Sequence, residues 1–305
     1  MQALSVIIPT YNRCETLQKA ISAYFNQSAL RNISEIIVVD DGSTDSTREV
    51  VARLSERSLG SIRYFRQENK GPAAARNLGI REACSEMILF TDDDIIPGPS
   101  LVAEHLEWHR RFPESSVAVL GNVTWAQEVK PTPFMAWYGV DFLFSYADFV
   151  GRTELDYTDF YTCNISLKAA FLRRNGTFDE EFKVAAYEDI ELGYRLKKAG
   201  MRLMYNPDAL AYHQQYISFD EACRRARKSG QAEEIFKKKE AGAYYYASLQ
   251  SVALSRLGRR SFYFRKQLRF LRKALAWGLS PFKRVMDWKI PLPWSVYRMM
   301  LRICR

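Results

Sequence analysis

The chain has 305 residues, 47% hydrophobic and 26% charged, with 15 Gly and 11 Pro. That composition excludes collagen-like, low-complexity and wholly disordered classes, and the length can bury a full core without staples. Its net charge of +9 is uneven: residues 1–217 carry 23 Lys and Arg against 29 Asp and Glu, and residues 218–305 carry 21 against 6. Five cysteines, at 14, 84, 163, 223 and 304, never fall in a CxxC spacing. Neither a zinc ribbon nor a disulfide framework is expected, and a reducing compartment is the default.

The first 125 residues alternate between two periodicities. Leu4–Ile8 is a short apolar run closed by Pro9 and predicts a buried strand. Residues 14–27 carry Leu17, Ile21 and Tyr24 at helical spacing. Glu35–Val39 predicts a second strand, residues 45–57 a helix, Ile62–Phe65 a third strand and residues 73–84 a helix entered through Gly71-Pro72. Met87–Phe90, a helix over 100–112 and Val117–Leu120 complete the series. Strands alternating with helices of this size predict βαβ units and an α/β fold around a mostly parallel sheet flanked by helices. Residues 126–160 lose the alternation and are rich in aromatics and proline, which reads equally as a lid or as an aromatic core insert. A helix near Asp189–Ala199 and a strand at Leu203–Tyr205 follow, and from 218 the chain turns helical and basic.

Ligands of such sheets sit beyond the carboxyl ends of the strands. Three polar clusters fall there: Thr10-Tyr11-Asn12, Asp40-Asp41 and Asp92-Asp93-Asp94. Three adjacent carboxylates repel one another, and a hard divalent cation, Mg2+ or Mn2+, relieves that cost while leaving coordination sites for phosphate oxygens. The Asp40-Asp41-Gly42-Ser43-Thr44-Asp45 run suits ribose or base hydrogen bonds from Asp40 or Asp41, with Ser43 or Thr44 free to cap the next helix. Gly71-Pro72-Ala73-Ala74-Ala75-Arg76-Asn77 opens a helix with small residues, but it is neither a GxGxxG nor a P-loop. Glu188-Asp189-Ile190-Glu191 also opens a helix; Glu191 pairs with Arg195 at i,i+4, and Asp189 is a candidate general base. His213 is a candidate metal ligand, whereas His105 and His109 lie on an amphipathic helix and read as structural.

Taken in order, Ser5-Val6-Ile7-Ile8-Pro9-Thr10-Tyr11-Asn12-Arg13, Val38-Val39-Asp40-Asp41-Gly42-Ser43, Gly71-Pro72-Ala73-Ala74-Ala75-Arg76-Asn77, Phe90-Thr91-Asp92-Asp93-Asp94 and Glu188-Asp189-Ile190-Glu191-Leu192 resemble the family 2 glycosyltransferases of the GT-A fold. The likeness spans residues 4–215. It implies inverting, metal-dependent transfer of one sugar from a nucleotide-sugar, with a UDP-sugar as the expected donor, to a hydroxyl acceptor on a lipid-linked or surface-glycan precursor. By that pattern Pro9, Thr10, Tyr11, Asp40 and Asp41 hold the nucleoside. Arg76 lies near the base or diphosphate, and Asp93 and Glu188 belong to the nucleotide-sugar site. Asp92 and Asp94 form the DxD pair on Mn2+ or Mg2+, His213 is a further metal ligand and Asp189 is the base. Asp93 departs from a neutral middle residue, and the QxxRW signature of processive synthases is missing, so single-sugar transfer is expected. A nucleotidyltransferase and a catalytically inactive membrane-associated nucleotide-binding protein are the competing readings.

Residues 1–217 are thus expected to form the catalytic domain and 218–305 a basic amphipathic helical region. Within it, Phe264, Leu268, Leu271 and Leu275 share one helical face among Arg265, Lys266, Arg269, Arg272 and Lys273. Such a segment suits an anionic membrane surface, through residues 258–305, rather than nucleic acid. No signal peptide is read at the start and no apolar run reaches the roughly 18 residues of a spanning helix. The expected location is cytoplasmic, peripheral at the inner face of the cell membrane.

Overall fold

The computed structural model describes residues 3–58, 61–139, 143 and 145–247. These divide into two compact units, one within Met1–Val129 and Phe144–Gln215, the other within Lys130–Leu143 and Tyr216–Arg305. The residues of the basic helix expected over 258–305 lie outside the described residues.

The first unit begins β1 (Leu4–Thr10), α1 (Cys14–Tyr24), β2 (Ile33–Asp40), α2 (Thr47–Arg57), β3 (Ile62–Arg66), α3 (Pro72–Glu82) and β4 (Met87–Thr91). Then come β5 (Ile95–Pro97), α4 (Leu101–Arg111) and β6 (Val117–Trp125). Within the second unit lies α5 (Pro133–Tyr138); the first resumes with β7 (Glu154–Leu155), β8 (Asn164–Lys168), α6 (Ala169–Asn175), α7 (Glu188–Lys198) and β9 (Arg202–His213), and the second continues with α8 (Phe219–Lys238).

The strands form one sheet in the order β3-β2-β1-β4-β8-β6-β9-β5, with β7 also on β9. The β3-β2-β1-β4 half is wholly parallel. Its central strands are covered on both faces, which explains why Leu4, Val6, Ile7 and Ile8 are all fully buried instead of alternating. Beyond β4 the sheet departs from simple alternation, because β8 inserts antiparallel between β4 and β6. Since β6 pairs parallel with β9, strands β1, β2, β3, β4, β6 and β9 still point one way, and the sheet is mostly parallel.

The helices follow from their apolar stripes. On α1, Leu17, Ile21 and Tyr24 are buried, each contributing about 1.5–3 kcal/mol from burial. Helix α3 lies so close to β1 that a Cβ on Gly79 would stand 2.5 Å from Ile7 Cγ2, so only glycine fits there. His105 and His109 are buried on α4: Ser166 Oγ bridges His105 Nδ1 (2.8 Å) and His109 Nε2 (2.9 Å), and His105 Nε2 meets Asn164 Oδ1 at 2.9 Å. Both histidines are structural, as the sequence suggests.

Among the described residues, aromatics of the stretch after 126 are packed core within each unit. In the second unit Phe134 and Trp137 are fully buried, and Phe134 meets Phe219 edge-on at 5.4 Å. In the first, Tyr146 stacks on Tyr205 at 6.0 Å. Among the described residues Cys14, Cys84 and Cys163 are free thiols. Among the described residues no helix is long and apolar enough to cross a membrane.

Candidate active site

The carboxyl ends of β1, β2, β4, β6 and β9 converge on one edge of the first unit, beside the point where strand order reverses between β1 and β4. The loop after β4 turns straight into β5, which pairs antiparallel with the end of β9 so that Ile95 faces His213. The backbone N–H of Gln214 donates to the Asp94 carbonyl at 2.8 Å. This register delivers His213 Nε2 to 3.6 Å from Asp94 Oδ2. Trp125, paired with His213 across β6 and β9, sets its ring edge-on to the imidazole at 5.3 Å.

Asp93 and Asp94 are both buried, and Arg13 bridges them. Arg13 Nη1 donates to Asp94 Oδ2 at 2.6 Å and to Asp93 Oδ1 at 3.1 Å, and Thr10 Oγ1 donates to Asp93 Oδ2 at 2.8 Å. Burial, and then the neighbouring charge of Asp94, push the Asp93 carboxyl up to about 7, against the pull of Arg13 and the Thr10 hydroxyl. Asp92 points elsewhere: its Oδ1 accepts from Arg76 Nη2 at 2.9 Å. The expected Asp92–Asp94 pair is therefore divided between two arginines. The groups that converge as candidate ligands are Asp94 and His213.

Arg76 is 3% exposed and forks. Its Nη2 holds Asp92, while its Nη1 donates to Glu188 Oε1 at 3.0 Å. Its guanidinium also lies 5.6 Å from the centre of the Phe178 ring. The next residue, Asn77, clasps Phe178 from both sides, accepting from its N–H and donating to its C=O, each at 2.9 Å. The Ala-Arg-Asn run on α3 thereby ties the start of α7 to the end of β4.

Helix α7 opens after Tyr187, which has φ 68°. A bulky residue in the left-handed region costs about 1–3 kcal/mol, and such strain gathers at functional sites. Here it precedes Glu188, which is buried, and Asp189, which is half-buried. Burial drives the Asp189 carboxyl up to about 6, opposed by the Ile190 N–H that donates to it at 2.8 Å and by Arg76. Burial, then the Asp189 charge, raises Glu188 as well. Glu191 takes the plainer role expected of it, pairing with Arg195 at 2.8 Å.

Asp40 and Asp41 are committed to the protein's own groups. Asp40 accepts from Ser43 N at 2.7 Å and from the Tyr64 hydroxyl at 2.5 Å. Asp41 accepts from Gln67 Nε2, Lys70 N and Gly71 N, all within 2.8 Å. They shape the 42–44 turn and the 67–71 loop instead of presenting free carboxylates. Gly71 has φ +93°, and a Cβ there would stand 2.8 Å from the Lys183 carbonyl oxygen. Asp45, not Ser43 or Thr44, does the capping, accepting from Thr47 N and from Cys14 N at the start of α1. Ser43 and Thr44 bind Asn12 instead, which holds φ 54°. Pro9 is half-buried at the end of β1, and Tyr11 is 46% exposed, leaving its ring face open beside this turn.

The candidate ligands can be weighed against a divalent cation by their chemistry. One carboxylate and one imidazole form a mixed oxygen and nitrogen set, which suits Mn2+ better than Mg2+. Among the described residues no three His, Cys, Asp or Glu side chains form a complete metal cage. Two protein ligands fit a cation that takes its remaining partners from substrate phosphates and water.

Residues 5–161 match the family model described as glycosyl transferase family 2. The chain belongs to glycosyl transferase family 2. A validoxylamine A glucosyltransferase of Streptomyces hygroscopicus subsp. jinggangensis is 35% identical over 230 residues, covering 65% of this chain and 52% of that protein. The chain thus spans about half the length of the curated relatives it matches first. A mannosyltransferase from Pyrobaculum calidifontis, solved with GDP-Man and Mn2+, superposes with TM-score 0.60 at 20% identity, covering 99% of this chain and 85% of its own. S. aureus TarS 1-349, solved with UDP-GlcNAc, gives TM-score 0.55 at 19% identity, covering 78% and 68%. The fold is that of the GT-A glycosyltransferases, and the family is one of sugar-transferring enzymes.

Arg13 went unassigned in the sequence although it stands inside the first motif. Its signal was positional: a lone cation at the carboxyl end of β1, facing an acidic triplet. Tyr187 gave no signal, because positive φ at a tyrosine cannot be read from residue type.

Proposed function

We propose that this family 2 enzyme is an inverting, metal-dependent glycosyltransferase that moves one sugar from a nucleotide-sugar to a hydroxyl acceptor. The observation that carries the reading is the two-ended ion pair of Arg76, which joins the end of β4 to the start of α7. It brings the acidic loop and the base candidate Asp189 into one site. Burial raises the Asp189 carboxyl to about 6, which suits a general base working near neutral pH.

In the proposed reaction the acceptor oxygen attacks the anomeric carbon from the face opposite the nucleoside diphosphate. One C–O bond forms, the bond to the diphosphate oxygen breaks, and Asp189 takes the acceptor proton. The leaving group is a weak base, so one carboxylate suffices, unlike the pair that glycoside hydrolysis uses. Asp94 and His213 would hold Mn2+ or Mg2+, which when bound neutralises charge on the diphosphate. Thr10 fixes the acidic loop, Arg76 supplies fixed positive charge, and Tyr11 offers a ring to the base. Asp40 and Asp41 shape the nucleoside pocket through the loops they hold.

The relatives support the donor class: UDP-GlcNAc and GDP-Man are bound in solved neighbours of the same fold. A UDP-sugar donor, a lipid-linked or surface-glycan acceptor and a peripheral location at the cytoplasmic membrane face through 258–305 are parts of the proposal. The test is a panel of UDP-, GDP- and dTDP-sugars with Mn2+ or Mg2+, scored by thermal shift and slow donor hydrolysis. Stabilisation by one nucleotide class, lost with chelator and in Asp94→Ala, is expected. No stabilisation by any nucleotide with either metal would refute the donor site.

A further inference from the structure

The oxygen best placed for a cation already carries one. Asp94 Oδ2 faces His213 Nε2 at 3.6 Å and accepts a charged hydrogen bond from Arg13 Nη1 at 2.6 Å. The same Nη1 reaches Asp93 Oδ1 at 3.1 Å, so one guanidinium nitrogen neutralises two buried carboxylates. A divalent ion taking up Asp94 Oδ2 would sit against this guanidinium, and the two positive charges repel strongly where water is scarce. Arg13 also has somewhere to go. Its side chain is 34% exposed, and its second nitrogen is held only by a long 3.4 Å bond to Gln215 Oε1. It borders a cavity of about 340 Å³ walled by Cys14, Glu15, Thr16, Asp45 and Gln215, two of them carboxylates.

We propose that Arg13 is the resident counter-cation of the metal site. It holds Asp93 and Asp94 together in the metal-free enzyme, and a divalent ion binds by displacing it toward the cavity at the start of α1. This inference rests on the metal reading above. Arg13 therefore sets the metal affinity of the free protein. Without it the acidic loop is more electronegative, and the ion no longer competes with a tethered cation. Losing a charge-assisted bond of this exposure changes the affinity on the order of ten-fold.

The experiment uses the full chain and Mn2+ alone, with free Mn2+ followed by its EPR signal, for wild type, Arg13→Gln, Arg13→Lys and Asp94→Asn. Arg13→Gln is expected to bind Mn2+ about ten-fold tighter than wild type. Arg13→Lys keeps the charge and stays within a few-fold of wild type, and Asp94→Asn loses binding. A second readout needs no variant: phenylglyoxal labelling of Arg13, mapped by mass spectrometry, should rise when wild type is saturated with Mn2+, because the guanidinium is released. If wild type binds Mn2+ but Arg13→Gln binds no tighter and labelling is unchanged, the counter-cation role is overturned and the metal site stands. If folded wild type and folded Arg13→Gln both fail to bind Mn2+, the metal reading itself falls, and the inference with it.

Discussion

Arg76→Met isolates the contact on which the site depends. Methionine keeps an apolar stem beside Phe178 but removes the fork that holds Asp92 and Glu188. Asp92 is one-third exposed and can turn to water, whereas Glu188 is 2% exposed and cannot. Stranding one partner of a buried ion pair costs about 3–5 kcal/mol. At roughly 2–4 °C per kcal/mol, the melting temperature should fall by about 6–20 °C. The sign of the pH dependence is set by Glu188. Without Arg76 its folded pKa rises further above its unfolded value, so the folded state binds the extra proton, and the deficit is smaller at pH 5 than at pH 8. Adding Glu188→Gln removes the stranded charge and should recover at least about 1 kcal/mol of the loss. Thermal unfolding of the two single variants and the double variant at both pH values completes the cycle. A fall below about 2 °C, or a larger deficit at pH 5 than at pH 8, would refute the reasoning.

Burial holds His105 at about 4 and His109 at about 3, below their ordinary value. Protonation therefore favours the unfolded chain, and this contribution is lost as pH falls below about 6.5. His105→Gln, which still donates to Asn164 Oδ1, should lose less stability than wild type between pH 7 and pH 5; equal losses would contradict the account. Gly71→Ala forces a Cβ to 2.8 Å from the Lys183 carbonyl at φ +93°. It should cost more than about 1 kcal/mol and weaken nucleotide-sugar binding, and an unchanged melting temperature would show that the loop yields. Deleting residues 258–305 should release the protein from anionic vesicles in a sedimentation assay, and unchanged sedimentation would remove the membrane proposal.

Much of the first unit was legible because its signals are local. Apolar runs of five or so residues became β1, β2 and β4, and the polar clusters after them fell at one sheet edge because those strands are parallel. What was not legible is set by distant pairing. The expected strand Leu203–Tyr205 is only the start of β9, which continues through Pro207 to His213. Proline reads as a strand breaker, yet here it stands where the β6–β9 register shifts, a position that needs no ladder N–H. The same long strand is what carries His213 to Asp94. Likewise the division of the acidic triplet between Arg13 and Arg76 depends on contacts 80 and 16 residues apart, which spacing along the chain does not reveal. The carboxylates of Asp40 and Asp41 looked free for a ligand because their partners, Tyr64 and the 67–71 loop, come from the next strand.

The central claim is that Asp189 removes the acceptor proton in a site whose donor half is built separately by β1, β2 and β4. Asp189→Asn keeps the size and the bond from Ile190 while removing the base. Donor affinity, measured by calorimetry with the nucleotide-sugar and Mn2+, should stay within a few-fold of wild type, while transfer to the acceptor falls by at least about 100-fold. Transfer within ten-fold of wild type, with binding intact, would contradict the assignment of Asp189 as the base.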